Sequence, residues 1–469
     1  MLDNTSLSVR SIEKHIAKLF IICFPFKMFA PLYFLNGVTF GLGDSASFIF
    51  CVLGLLLIAF RRKIIFAKDE GGKLLGQFAT MYIILDLTSF FMALVLYREA
   101  GVIAGETTVI AVSKKILFTL SYILFVFYGR EIGNILTKSE INKTLDICLN
   151  VCLIVGLIQV LMLNNISIAG KVYDTINSLF NAWSSSNAMR TKRIALLANE
   201  PAYSAGFITT IIIPFLLSRM FESGTHFKGL LRIFLFIVIL YYTKSTTGYL
   251  ILFIVLGFFA ILYYSKGRKT SVNSLLFGVI LGVCMLGVTV IILGDNLISK
   301  NVFNVMDKLF SYDNPNSADR KGMIAVGLSL FLRFPLFGVG DGNQGFYYQE
   351  LLPDWAKNSY TGYSAYNHAS DVLYDGGPFW IAFISGYGLL GLLLLFLFFK
   401  KSFRIIHRNR ESFGYLYYFY YLSITALFVN GIGATLGSKY YFWFVLSIPM
   451  MVSFLKRDEN VLTIANMES

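Results

Sequence analysis

The sequence predicts an all-α protein that crosses a membrane about twelve times, and three observations carry that prediction. The 469 residues are 56 % hydrophobic and only 14 % charged, where a soluble chain carries charge at about a quarter of its positions. Runs of roughly 20 apolar residues, enough to cross about 30 Å of hydrocarbon as a helix, recur from end to end. The short alternating segments of a β-barrel are absent. No folded interior absorbs that much apolar side chain, so lipid has to serve as a second apolar solvent.

The expected spans lie near 16–36, 45–60, 74–97, 116–129, 145–164, 201–220, 229–243, 247–265, 274–294, 378–399, 413–431 and 439–455. The first holds Pro25, Lys27 and Pro31 and lacks a small-residue cleavage site, so it reads as a retained anchor and not a signal peptide. With the N-terminus inside, Arg61-Arg62-Lys63, Lys266-Gly-Arg268-Lys269 and Lys400-Lys401-x-x-Arg404 all fall on the cytoplasmic side, which is the positive-inside pattern. Lys114-Lys115, at an outer helix end, departs from it. Both termini are then cytoplasmic. This distribution accounts for the net charge of +13 without a nucleic-acid partner. The five cysteines, Cys23, Cys51, Cys148, Cys152 and Cys284, fall within expected spans and read as small packing residues.

Residues 1–469 form a single transmembrane domain whose two long outer loops, 165–200 and 295–377, hold most of the unusual polar chemistry. Long ordered loops usually carry function. In the larger loop, Asp319 or Ser317 is placed to cap a helix starting at Arg320-Lys321. Its apolar stretch, Met323 to Leu332, ends at Arg333-Phe334-Pro335 and is too short to span. It should lie along the membrane surface or re-enter it. The string Gly338-x-Gly340-x-Gly342-x-x-Gly345 contains GxGxxG, but no βαβ unit surrounds it, so a dinucleotide site is rejected. It reads instead as a tight turn that lets a polar ligand approach the backbone, with Gly340 and Asn343 as candidate contacts.

The outer cations are Arg190, Lys192, Arg193, Lys244, Arg320, Lys321, Arg333 and Lys439. Each serves either lipid headgroups or solvent unless position argues otherwise. Arg320 stands out, because the first turn of a surface helix already favours an anion. Arg333 lies about 20 Å further along a straight helix, so the two cannot hold one diphosphate. Glu200, just before Pro201 and Tyr203, reads either as an ordinary acid at a helix start or as a carboxylate for a sugar hydroxyl. Of the four histidines, His368 alone is on the outer side. Asp371 follows at a spacing that orients an imidazole if the segment is helical. A histidine titrates near pH 6.5, so His368 is the expected general base, with Glu200 positioning the acceptor. No outer loop holds HExxH, a Cys/His cluster or DxD, so no metal or other cofactor is expected.

Taken together, Arg320, the helix to Arg333, Pro335-Leu-Phe-Gly338-Val-Gly340-x-Gly342-Asn343, Asn367-His368 and Gly386-x-Gly388-Leu-Leu-Gly391 resemble the O-antigen ligase and Wzy-type polymerase superfamily. The segment Arg193 to Glu200-Pro201 resembles a second stretch of the polymerases, although their repeat of Arg, ten residues and Gly is not matched here. The resemblance implies a membrane-embedded inverting glycosyltransferase in the bacterial inner membrane. Its donor would be an oligosaccharide on undecaprenyl diphosphate, with membrane lipid and a chain-length regulator as partners. Arg190, Arg193, Tyr203, Arg320, Lys321, Gly340, Asn343, Asp371 and Lys439 are the candidate substrate contacts. A polymerase is the first reading, a ligase to lipid A core the second. A glycolipid flippase or transporter would show repeats and charges deep in the membrane; only Lys27 and Asp86 look deep.

Overall fold

The computed structural model describes residues 2–26, 46–61, 69–103, 105–180, 184–198, 200–223, 227–265, 315–359, 377–436 and 439–455. Among these residues the chain is helical, with no strand beyond one isolated bridge between Ile103 and Glu106. In order, the helices are α1 (Leu2–Ile22), α2 (Ala46–Arg61), α3 (Glu70–Ala100), α4 (Thr108–Ile135), α5 (Lys138–Leu163), α6 (Ser167–Phe180) and α7 (Ser185–Thr191). They continue with α8 (Pro201–Phe207), a π-helical turn at Ile208–Ile212, α9 (Ile213–Ser223), α10 (Phe227–Thr243) and α11 (Thr246–Ser265). The last are α12 (Pro315–Arg333), α13 (Phe379–Arg408), α14 (Tyr415–Gly433) and α15 (Tyr440–Ser447).

Six described helices are long and apolar enough to cross a membrane, and two shorter apolar ones accompany them. Large apolar side chains such as Phe91, Leu94 and Val95 face outward on α3. Water would penalise such a surface, whereas lipid does not. The chain is an all-α, multi-pass membrane protein. The expected span at 274–294 lies outside the described residues, as do residues 27–36 of the first expected span.

Several helices begin before their apolar windows because polar residues cap them. The Asp69 carboxylate accepts from the Gly72 N–H at 2.7 Å, and Thr137 with Glu140 forms a reciprocal capping box at the start of α5. The first helix departs more from expectation. It starts at Leu2 and ends at Ile22, so Pro25 lies in the turn beyond it. It carries Arg10, Glu13, Lys14 and Lys18. Lys14 bonds Glu140 at 2.9 Å, which holds the middle of the helix against the start of α5.

Tertiary bonds sort the helix ends into two faces. One gathers the ionic network: Asp146 bridges Arg219 at 2.6 Å and Arg232 at 3.0 Å. There too, Arg130 meets Glu131 at 2.6 Å and Asp69 at 3.2 Å, and Arg408 pairs with Glu70. At the opposite face Arg193 Nε donates to the Thr243 carbonyl at 2.9 Å, and the Phe379 N–H to the Ala434 carbonyl at 3.1 Å. Between them runs the unit α8–α9, of which 94 % of the apolar window is buried, against 28 to 44 % for the other five long helices. It is the central helix. Aromatic rings lock it in place, with Phe221 stacked on Tyr418 at 3.7 Å. The residue at its tip on this second face is Glu200.

Candidate functional site

The segment before α8 explains how Glu200 is held. Ile194 to Ala198 are almost wholly buried although they are not helical. Non-helical backbone at membrane depth persists only where protein satisfies its polar groups. Gln159 of α5 does this, donating to the Leu196 carbonyl at 3.1 Å and accepting from the Leu196 N–H at 2.9 Å. The Ile194 N–H donates to the Tyr242 carbonyl at 3.1 Å, and Ser204 donates to the Ala195 carbonyl. The expected outer loop 165–200 is therefore two short helices, α6 and α7, followed by a buried segment aimed at the central helix.

Glu200 is exposed, and its side chain makes no capping bond although it stands at the N-cap of α8. Pro201 fills the first helical position. The carboxylate opens into a cavity of about 150 Å³ lined by Glu200, Tyr203, Gly206, Thr247, Arg320, Asn430 and Lys439, among others. Five pieces of chain build it: the start of α8, the first turns of α11, the second turn of α12, the end of α14 and the residue before α15. Lys439 is 5 % exposed, and its ammonium lies 5.8 Å from the Tyr203 ring centroid. The Tyr203 hydroxyl is already engaged, donating to the Phe24 carbonyl at 3.4 Å. Arg193 stands close by. Burial lowers its guanidinium pKa from the ordinary value, Glu200 and Tyr249 oppose that shift, and Arg320 adds to it. A guanidinium stays protonated through such a shift. Two cations therefore line the cavity against one carboxylate, with a third nearby, an environment suited to a ligand of more than one negative charge.

Four sequence candidates thus converge on the cavity: Glu200, Tyr203, Arg320 and Lys439. Arg193 borders it. Arg190 is exposed on α7 and donates to Asn187 at 3.3 Å, and Lys321 is half-buried; neither lines the cavity. His368 and Asp371 lie outside the described residues. The described chain on either side of them rests on α12, with the Ser359 hydroxyl 3.3 Å from Asp319 and Gly377 packed against Met323.

The geometry of α12 corrects one expectation. The helix starts at Pro315, so Ser317 and Asp319 are inside it and do not cap it. Proline favours a helix start, which moves the boundary upstream of the polar residues. Arg320 is then in the second turn, and its place in the cavity, not a free helix end, commends it. Arg333, at the far end of α12, is occupied by Glu350 at 2.9 Å and Glu99 at 2.8 Å.

The glycine string occupies a different place. Gly338, Gly340 and Gly342 all have positive φ, and protein backbone crowds them. A Cβ at Gly338 would sit 2.3 Å from the Gly386 carbonyl, one at Gly340 2.9 Å from the Ser89 oxygen, and one at Gly342 3.0 Å from the Ala111 oxygen. The turn is wedged between α3, α4 and α13. Gly340 and Asn343 are buried there, away from the cavity, and the Asn343 amide donates to Val339 at 3.0 Å.

Sequence reading missed Gly206, Thr247 and Asn430. A polar residue within an apolar run, as in Val429-Asn430-Gly431, is the signal that could have found the last of them.

Residues 231–396 match the family model described as O-antigen ligase. That stretch contains α12, Arg320, the glycine turn and the first part of α13. No curated protein matches the chain.

Proposed function

We propose, from the match of residues 231–396 to the O-antigen ligase family model, that the chain belongs to the O-antigen ligase/polymerase superfamily and is an inverting, metal-independent glycosyltransferase that polymerises oligosaccharide repeats carried on undecaprenyl diphosphate. The observation that carries this reading is the single cavity shared by Glu200, Arg320 and Lys439. Arg320 and Lys439 hold the diphosphate and stabilise the charge it gains as the sugar departs. Glu200 accepts a hydrogen bond from the acceptor hydroxyl and aims it. His368, oriented by Asp371, removes its proton. The hydroxyl oxygen bonds to the anomeric carbon, the bond to the diphosphate oxygen breaks with its electron pair, and the carrier diphosphate leaves. The positive-inside rule supports a cytoplasmic position for the basic, salt-bridged face and, with it, a cavity on the outer face of the bacterial inner membrane. There no nucleotide supplies energy, so the donor arrives already activated.

The family description favours one second reading, transfer of the finished glycan to lipid A core by the same donor chemistry. Purified protein supplied with lipid-linked repeat alone separates the two. A ladder of lengthening products marks a polymerase, and product only on addition of lipid A core marks a ligase. In that assay His368→Ala is expected to lose about 10²–10⁴-fold in rate, and Glu200→Gln to raise the acceptor KM. Full turnover of His368→Ala with none in Glu200→Gln would exchange the two roles. Loss of activity in EDTA would restore a metal mechanism.

A further inference from the structure

The cavity floor holds a group that the proposed chemistry has not yet used. Asn430, near the end of α14, is 3 % exposed and lines the cavity, and its Nδ2 makes no hydrogen bond. A buried amide donor without an acceptor costs about 1–3 kcal/mol, so a position like this persists when something else rewards it. The neighbourhood indicates what. Measured from the point where a Cβ of Gly206 would stand, Asn430 Nδ2 is 3.0 Å away, the Tyr441 hydroxyl 3.5 Å and Lys439 Nζ 3.7 Å. The Tyr441 hydroxyl is buried as well, beside Thr210. An amide nitrogen, a phenol and an ammonium, all able to donate, therefore come together beside Gly206 on the central helix, where any side chain would crowd them.

We infer that Asn430 is a substrate-binding residue, donating its amide N–H to a phosphate oxygen of the carrier diphosphate beside Lys439, in a recess kept open by Gly206. This rests on the proposed reaction and adds to it a neutral donor on α14. A carboxamide in this position discriminates by charge. Replacing it with the nearly isosteric carboxylate puts a negative charge where the ligand's own would lie, and that charge also captures Lys439. Gly206→Ala acts by space instead, because its methyl occupies the recess.

The test uses the purified full-length protein in detergent, with turnover of lipid-linked repeat and inhibition by inorganic pyrophosphate as readouts. Size-exclusion profile and melting temperature serve as folding controls. Asn430→Asp is expected to raise both the donor KM and the pyrophosphate inhibition constant by about 10-fold or more, the range of a hydrogen bond to a charged group. Asn430→Ala should raise them less, and Asn430→Gln should recover part of the loss. Unchanged pyrophosphate inhibition in a folded, active Asn430→Asp, while the partly active Arg320→Lys shows weakened inhibition, overturns this assignment and leaves the proposed reaction standing. A shift in acceptor KM alone would place Asn430 on the sugar and also overturn it. If pyrophosphate does not inhibit the wild-type protein and no lipid-linked substrate is consumed, both readings fall together.

Discussion

Gln159→Leu tests the argument that a single side chain carries the backbone leading into the site. Gln159 is fully buried and satisfies both the N–H and the carbonyl of Leu196. Leucine fills similar space without polar atoms. The Leu196 carbonyl would keep a weak bond from the Tyr173 hydroxyl at 3.5 Å, whereas the Leu196 N–H would lose its acceptor. An orphaned buried N–H costs about 1–3 kcal/mol, while polar pairs between membrane helices average only about 0.6 and reach about 1.7 kcal/mol. The expected destabilisation is therefore about 1–2 kcal/mol. Leu196 already has a φ of 47°, a left-handed conformation that itself costs about 1–2 kcal/mol for an ordinary residue. With its anchor gone the segment is free to relax, and Glu200 moves with it. Unfolding of the micelle-bound protein in increasing SDS measures the first effect, and acceptor KM in the polymerisation assay measures the second. A Gln159→Leu protein within about 0.5 kcal/mol of wild type and with unaltered KM would refute the reasoning.

Arg320→Ala should abolish product while leaving protein level unchanged, and Arg320→Lys should recover only part, since lysine lacks the bidentate fork. Normal product from Arg320→Ala would place the diphosphate elsewhere. Arg333→Ala should be milder, costing about 0–1 kcal/mol of stability, as a partly exposed ion pair does; a total loss of turnover in folded Arg333→Ala would contradict the division of labour along α12. Gly338→Ala should destabilise by about 3 kcal/mol, from a positive φ and a backbone clash together; wild-type expression and melting would show that the turn yields easily. Reporter fusions at 180 and 345 should be external and those at 270 and 405 cytoplasmic; an external signal at 405 would invert the topology.

The sequence by itself determined the solvent. Apolar runs at the length of a bilayer, and loops divided by charge, are local properties of the chain, so the all-α membrane class and most spans were legible without coordinates. The resemblance carried by Arg320, the glycine turn and the glycine-punctuated helix was legible too, because it is a matter of order along the chain. The cysteines were read as packing residues, and Cys23, Cys51, Cys148 and Cys152 are buried thiols. What sequence could not decide was which polar residues share a space. Gly340 and Asn343 looked like ligand contacts because glycines permit close approach, yet the backbones of α3 and α13 approach Gly340, and the Asn343 amide bonds within the turn itself. Arg320 and Arg333 lie on the same helix and look alike in sequence. Only the fold gives one of them two carboxylates and the other a cavity. Asn430 stands 230 positions from Glu200 along the chain and joins it only because α14 packs on the central helix. Periodicity reports which face of a helix is apolar, but a site is made by the meeting of faces, and that is settled by the packing of all the helices at once.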